Sequence, residues 1–356
     1  MKHRAGRALL LCALLGALPC ATTARAAPAR DKPFEFVVIG HAFAGGTDDA
    51  DLKRTLVRAD RLKPAFVVAA GIKSAEEPCS DKLYAQRRAL LDQADQPLLL
   101  VLSGSDWTGC RNSAGRSNAI ERLNRIREIY FDEEALGETR LELSRQSMIA
   151  KFRSYAENAH WEVRNVLFAT INLPAPNNHY LLEAGRNSEY EDRLVANRAW
   201  LQRLFSLAKR RKLDGLVLFS DGDVRIHAEQ GFSLLSGFST KQDGFAETRR
   251  LIRVLAEKYP GKVLLVDTHK PAAAEPVAEG AVAPGTLTWR GNLGHVTLPD
   301  AWHVVRVTPG DPVQFAHEAG HGEEKTQVKG NGQPKPPAGS AKKSSAKGER
   351  PQPPLK

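Results

Sequence analysis

Several familiar signatures are missing from this sequence. It has no nucleophile elbow, no glycine-rich phosphate loop and no dinucleotide fingerprint. No segment recurs at a fixed period, and after residue 26 no stretch is long and apolar enough to cross a membrane. The sequence therefore gives no indication of a nucleotide-binding enzyme, a repeat protein or a domain with several membrane spans.

The folded part also lacks a net charge of either sign. The chain carries +10 overall, but residues 1–26 hold four basic residues and no acidic one, and residues 325–356 hold eight basic residues and one acidic one. What remains between them is almost neutral. Because nucleic-acid-binding domains present a basic surface, we expect no nucleic-acid partner.

The basic start is typical of a secretory signal peptide over residues 1–26. Three basic residues precede an apolar run over 8–21, which is short for a membrane span, and Ala24-Arg25-Ala26 is a small-x-small cleavage signature. The sequence predicts an exported protein, periplasmic or extracellular, whose mature form begins near Ala27. An uncleaved membrane anchor is the alternative.

Cysteine is scarce, and removal of the signal peptide would leave only two of the 4 cysteines, Cys79 and Cys110. A single pair in an exported protein favours a disulfide between them. The alternative, two thiolates that bind a metal, lacks third and fourth ligands at the usual spacing.

What is present is an alternation of apolar strands and amphipathic helices. Strands are predicted over 34–40, 65–70 and 98–102, with a helix after each of the first two, so the chain begins as an α/β fold with a parallel sheet. A tight hairpin is predicted within 161–173, turning near Asn165. A long helix over 192–212 follows, and we expect its core side to include Val195, Ala199, Leu204 and Ala208.

The composition changes at residue 318, where Pro, Gly, Ser, Lys and Ala begin to dominate. Such a segment has little apolar surface to bury, so residues 318–356 are predicted to be a disordered basic tail. The tail could bind an anionic envelope surface, or it could simply be solvated. His317 and His321 lie at its border, where we predict no ordered structure.

Polar residues follow the predicted strands where each one ends. The carboxyl ends of parallel strands meet at one edge of a sheet, where ligands usually bind. Carboxylates and imidazoles there could hold a divalent metal such as Mn, Fe or Zn. The candidates are His41, Asp106, Asp221 or Asp223, Asp267 and His269.

Each candidate also has a purely structural interpretation. His41 could be a hydrogen-bonded loop residue, and Asp106 a helix cap or turn residue. The segment 220–223 reads SDGD, which is an ordinary turn. Asp267 could do no more than orient the imidazole of His269.

Six segments, in this order, resemble an exported branch of the calcineurin-like metallophosphoesterases. They are KPAFVVAAGIKSAEEPCSD, SGSDWTGC, ERLNRIREIYF, WEVRNVLFATINLPAPNN, ANRAWL and LLVDTHK. The resemblance covers about residues 34–307 and includes the cysteine pair. It implies a domain over 27–317, built as a β-sandwich of mixed sheets flanked by helices. It also implies metal-dependent hydrolysis of phosphate esters.

The differences from the family fall on its metal ligands. His41 stands where the family has its first Asp, and Ile72 follows Gly71 where the family has the Asp that bridges two metals. The Asn ligand is missing from the segment 104–106, and no His-Gly pair precedes Asp267. The resemblance thus predicts the scaffold with impaired or absent catalysis, a pseudoenzyme. The alternatives are a divergent phosphoesterase and an envelope-binding protein that acts through its tail.

Overall fold

The structure is a computed structural model, and it describes residues 32–41, 43, 49–131, 135–182, 187–228, 243–270, 282–310 and 312–319. The predicted signal peptide, the start near Ala27 and all but the first two residues of the predicted tail lie outside these ranges. No helix within them combines the length and the apolar character that crossing a bilayer requires.

The described residues form an α/β fold, as the alternation of strands and helices predicted, and it is built of two mixed sheets and five α-helices. The helices are α1 (Asp49–Leu62), α2 (Asp81–Leu91), α3 (Ala119–Tyr130), α4 (Ser188–Arg211) and α5 (Ala246–Glu257). The strands are β1 (Phe34–Ile39), β2 (Val67–Ala70), β3 (Leu98–Val101), β4 (Ser144–Arg145), β5 (Ala159–Val163), β6 (Val166–Thr170), β7 (Gly215–Ser220), β8 (Lys262–Asp267), β9 (Thr288–Arg290), β10 (Leu293–Thr297), β11 (His303–Thr308) and β12 (Gln314–Ala319).

The first sheet has the strand order β12-β11-β1-β2-β3, and the second has the order β4-β5-β6-β7-β8-β10-β9. Strands β1, β2 and β3 are parallel to one another, and so are β6, β7, β8 and β10. Antiparallel strands complete the first sheet at one edge, with β11 and β12, and the second sheet at both edges, with β4 and β5 on one side and β9 on the other. The loops that follow the parallel strands are therefore the natural place for a site.

Three apolar clusters hold the layers together. Helices α1, α2 and α3 cover the outer face of the first sheet, and α4 and α5 cover that of the second. Between the sheets lies an aromatic cluster in which Phe36 meets Phe219 edge to face at 5.6 Å and Phe66 meets Phe168 at 4.8 Å. Both faces of each sheet are buried, which explains why the parallel strands read as continuous apolar runs.

The predicted disulfide is present. Cys79 and Cys110 are bonded, with their Cα atoms 5.9 Å apart. The bond joins the loop that precedes α2 to the loop that precedes α3. Disulfides of this kind persist in oxidising compartments, which is compatible with an exported protein.

Two local predictions fared differently. Strands β5 and β6 form the predicted hairpin, in which Val163 pairs with Val166 across the turn. The prediction for α4 was partly wrong, because the helix begins at Ser188 and Val195 is 47% exposed. The core side of the helix is instead set by larger residues such as Trp200.

The chain also stays ordered further than its composition predicted. Strand β12 pairs with β11 up to Ala319, the second residue of the predicted tail. His317 belongs to this strand, and its ring bonds to that of His303 at 3.0 Å. The prediction of no ordered structure was therefore wrong for His317, because residues 314–319 pair with the preceding strand over 303–308. His321 lies outside the described residues.

Candidate functional site

A cleft of about 910 Å³ opens at the ends of the parallel strands. Loops from both sheets line it, and they meet where the Gly104 amide donates to the Asp221 carboxylate at 2.8 Å. The side chains that could act on a ligand there include His41, Lys73, Ser105, Asp221, His269 and Lys270. Three of the predicted site residues, His41, Asp221 and His269, thus reach one cleft.

Asp106 does not reach the cleft surface, because its carboxylate fastens two loops together. One oxygen accepts the backbone N–H groups of Ile72 at 2.7 Å and Lys73 at 3.2 Å. The other accepts the N–H of Ser103 at 2.8 Å. The residue is completely buried. The structural alternative, a cap and turn role, is what its hydrogen bonds describe.

Complete burial raises the pKa of Asp106 to about 7. The three amide donors act in the opposite direction, and the nearby charge of Asp221 adds to the rise. Among the described residues, no cationic side chain hydrogen-bonds this carboxylate. The effect of desolvation on the pKa therefore outweighs that of the three amide bonds. Asp106 is therefore a structural group whose two oxygens are already engaged.

Asp221 also accepts backbone amides, but only through one of its two carboxylate oxygens. Its Oδ2 accepts the amides of Gly104 at 2.8 Å and Ala175 at 2.7 Å. Its Oδ1 lies 3.5 Å from His41 Nε2, and both of these buried atoms lack a hydrogen-bond partner among the described residues. His41 itself has a left-handed backbone, with φ at 41°. The cleft floor thus offers one imidazole nitrogen and one carboxylate oxygen.

These donors do not fit a two-metal centre. Such a centre needs a carboxylate that bridges both cations, which otherwise repel each other. At the position where the resemblance expects that carboxylate, the chain has Ile72, whose side chain is fully buried. Gly71 before it has φ at 78°, so the backbone turns sharply there, but no metal ligand follows.

Lys73 also links the two loops that Asp106 holds together. Its Nζ donates to the carbonyl oxygens of Ser74 at 2.6 Å and Ser105 at 2.9 Å. Burial lowers the pKa of this amine, although Asp106 and Glu77 act to raise it. Lys73 therefore joins the loops after β2 and β3 and also contributes to the wall of the cleft.

A second group lies at the ends of β7, β8 and β10. Ligand atoms of Asp223, Asp267 and His295 all lie within 4.8 Å of one another. His295 Nε2 is 2.5 Å from Asp267 Oδ2 and 3.5 Å from Asp223 Oδ1. Two of the predicted metal residues are thus brought together, with a third partner that the sequence did not suggest.

The electrostatics of this group follow from burial. Burial raises the pKa of Asp267, against the lowering effect of the His295 ring. For His295, burial acts to lower the pKa, but the hydrogen bond to Asp267 and the charges of Asp267 and Asp223 together raise it. The group therefore holds two carboxylates with one imidazole to balance them.

Sequence reasoning missed His295 because it missed β10. Apolar and polar residues alternate over the segment LGHVT, and Leu293, His295 and Thr297 fall on one face. That alternation was a signal for a strand. Register then decides the contact, since Thr297 pairs with Asp267 in β8.

His269 hydrogen-bonds Asp267 through its backbone and not through its ring. Its backbone N–H donates to Asp267 Oδ1 at 3.0 Å, while its ring faces the cleft. The suggestion that Asp267 orients the His269 imidazole is therefore wrong, because the carboxylate bonds the ring of His295 instead. The ring nitrogen Nδ1 of His269 is buried without a hydrogen-bond partner among the described residues.

In comparisons with known proteins, no family model matches the chain and no curated protein matches it. A relation to the metallophosphoesterases therefore depends on the sequence motifs alone.

Proposed function

We propose that this chain is an exported, non-catalytic relative of the calcineurin-like metallophosphoesterases, which binds a ligand in the strand-end cleft without hydrolysing it. One observation carries the proposal. The carboxylates that should clamp two metals, those of Asp106 and Asp221, accept backbone amides instead.

The chemistry of the family explains why this matters. Two-metal phosphoesterases polarise the phosphate and activate a water between their cations, and each cation needs several oxygen or nitrogen ligands. Here the bridging position is Ile72, and both oxygens of Asp106 are engaged. The His41 and Asp221 atoms that remain can hydrogen-bond a ligand, which suits binding better than hydrolysis.

The scaffold supports the relation. Two mixed sheets flanked by helices, a cleft at the strand ends and a disulfide at Cys79–Cys110 are what the resemblance implies. The disulfide also supports export. The basic tail would then help to hold the protein near an anionic envelope surface.

Hydrolysis of an aryl phosphate in the presence of Mn²⁺, Fe²⁺ or Zn²⁺ tests the proposal. We expect no metal-dependent rate above background in the natural protein. The cleft variant Asp221→Asn and the control Asp51→Asn, at a side chain that is 73% exposed, should behave identically. Asn can still accept the two amides through one oxygen, so the fold is preserved.

Metal-dependent turnover that Asp221→Asn removes and Asp51→Asn keeps would contradict the proposal. It would instead support a divergent phosphoesterase. Two metal ions bound per chain, both lost in Asp221→Asn, would lead to the same conclusion.

A further inference from the structure

We propose that Asp223, Asp267 and His295 bind one divalent first-row cation, at a site separate from the cleft. The site goes beyond the proposed function and does not depend on it. None of the three side chains lines the cleft. Asp223 lies in the loop after β7, Asp267 ends β8 and His295 lies within β10, so an ion there would tie these three segments together.

The spacing of the donor atoms suits a single ion. His295 Nε2 lies 2.5 Å from Asp267 Oδ2 and 3.5 Å from Asp223 Oδ1. Ligands that each stand about 2.0–2.2 Å from a zinc-sized ion lie about 3–3.5 Å apart, so only small side-chain movements are needed.

The excess of carboxylates over imidazole in the group also favours a bound cation. Among the described residues, the only ion-pair partner of either carboxylate is His295. One imidazolium can balance at most one of two carboxylates. Asp267 is only 2% exposed, so water does little to stabilise its charge. A bound divalent ion would balance both carboxylates and leave the imidazole neutral.

Surrounding groups fix the ligands in place. The Thr297 hydroxyl donates to Asp267 Oδ2 at 3.1 Å, and the His269 amide donates to Asp267 Oδ1. The Arg225 amide donates to Asp223 Oδ1 at 2.6 Å. Outer hydrogen bonds of this kind orient metal ligands and increase affinity.

A second imidazole, that of His227, stands beside the group. The rings of His227 and His295 have their centroids 6.2 Å apart. His227 is not among the side chains whose donor atoms lie within 4.8 Å of one another, so the ligand set consists of Asp223, Asp267 and His295.

The donor set selects the class of metal. Carboxylate oxygens with imidazole nitrogens suit Zn²⁺, Mn²⁺ and Fe²⁺, whereas Mg²⁺ and Ca²⁺ prefer oxygen ligands. Titration of the chelator-treated full chain with Mn²⁺, followed by the electron paramagnetic resonance of free Mn²⁺, is a direct test. We expect one equivalent to bind, Zn²⁺ to displace it, and the bound ion to raise the melting temperature.

Variants separate this site from the cleft. Asp223→Asn and His295→Gln should weaken Mn²⁺ binding by at least about tenfold, as loss of a ligand does elsewhere. The matched controls His41→Gln and His269→Gln, which change cleft histidines, should bind as the natural protein does.

Two results would overturn the assignment. One is absence of stoichiometric Mn²⁺ or Zn²⁺ binding by the natural protein. The other is binding that Asp223→Asn and His295→Gln leave unchanged while their circular dichroism spectra show that both variants are folded. Binding lost in the His41→Gln control would place the ion in the cleft, and it would also count against the non-catalytic proposal. Failure of one proposal is thus distinguishable from failure of the other.

Discussion

Replacement of Asp106 by Asn should destabilise the fold without removing a metal ligand. The natural carboxylate accepts three buried amides, those of Ile72, Lys73 and Ser103. An Asn side chain keeps the two acceptor bonds to Ile72 and Lys73 but turns its own NH₂ group toward the Ser103 N–H. One buried donor is then unsatisfied, which costs about 1–3 kcal/mol.

Asp106→Ala leaves all three donors unsatisfied and should lower the free energy of unfolding by more, about 3–5 kcal/mol. The loss is smaller than three separate unsatisfied donors would cost, because the variant no longer buries a charge. Urea unfolding followed by tryptophan fluorescence, with the disulfide kept oxidised, measures both free energies of unfolding. We expect the free energy of unfolding to be lowest for Asp106→Ala, higher for Asp106→Asn and highest for the natural protein. Added Mn²⁺ or Zn²⁺ should leave these differences unchanged.

The pH dependence gives a second test of the same carboxylate. Its pKa is raised to about 7 in the folded protein, above the usual 3.8. A raised pKa means that the contribution to stability is complete below pH 4 and is lost as the pH rises through 7. The Asn variant lacks this loss. The advantage of the natural protein over Asp106→Asn should therefore shrink between pH 5 and 8, by up to about 3 kcal/mol.

A difference that stays constant from pH 5 to 8 would refute the assignment of the raised pKa to Asp106. Equal stability of Asp106→Asn and the natural protein at pH 5 would refute the structural role. Metal-dependent stabilisation that only the natural protein shows would return Asp106 to the list of metal ligands.

Three other changes have distinct expected effects. Cys79→Ser/Cys110→Ser opens a crosslink between residues 31 apart in sequence and should cost about 3–4 kcal/mol in urea unfolding, with reductant then having no further effect. Burial beside His317 lowers the pKa of His303 to about 4. The contribution of His303 to the stability of the fold is therefore complete above pH 6.5 and is lost as the pH falls through 4. His303→Gln should remove about 2 kcal/mol of that acid dependence, and unchanged acid sensitivity would contradict this. Deletion of residues 325–356 should abolish retention on anionic vesicles, and retention that survives would exclude the tail as the binding segment.

Local patterns were enough for much of the architecture. Apolar runs bounded by Pro and Gly placed β1, β2 and β3, and the parity of the cysteines indicated Cys79–Cys110. The hairpin around Asn165 also followed from its neighbours. These features depend on residues close in sequence or on the compartment, so a single sequence contains them.

Tertiary structure alone decided how the candidate residues are divided between sites. Asp221 and Asp223 are two positions apart, yet Asp221 faces His41 and Asp223 joins His295. Gly222 between them packs so closely on Phe245 that an added Cβ would lie 2.6 Å from the ring, and this fixes the turn. Asp106 accepts amides more than 30 residues away, which no local pattern encodes. The sequence determined which side chains could act together, and strand register and loop packing determined which of them meet, because both arise only when distant segments pair.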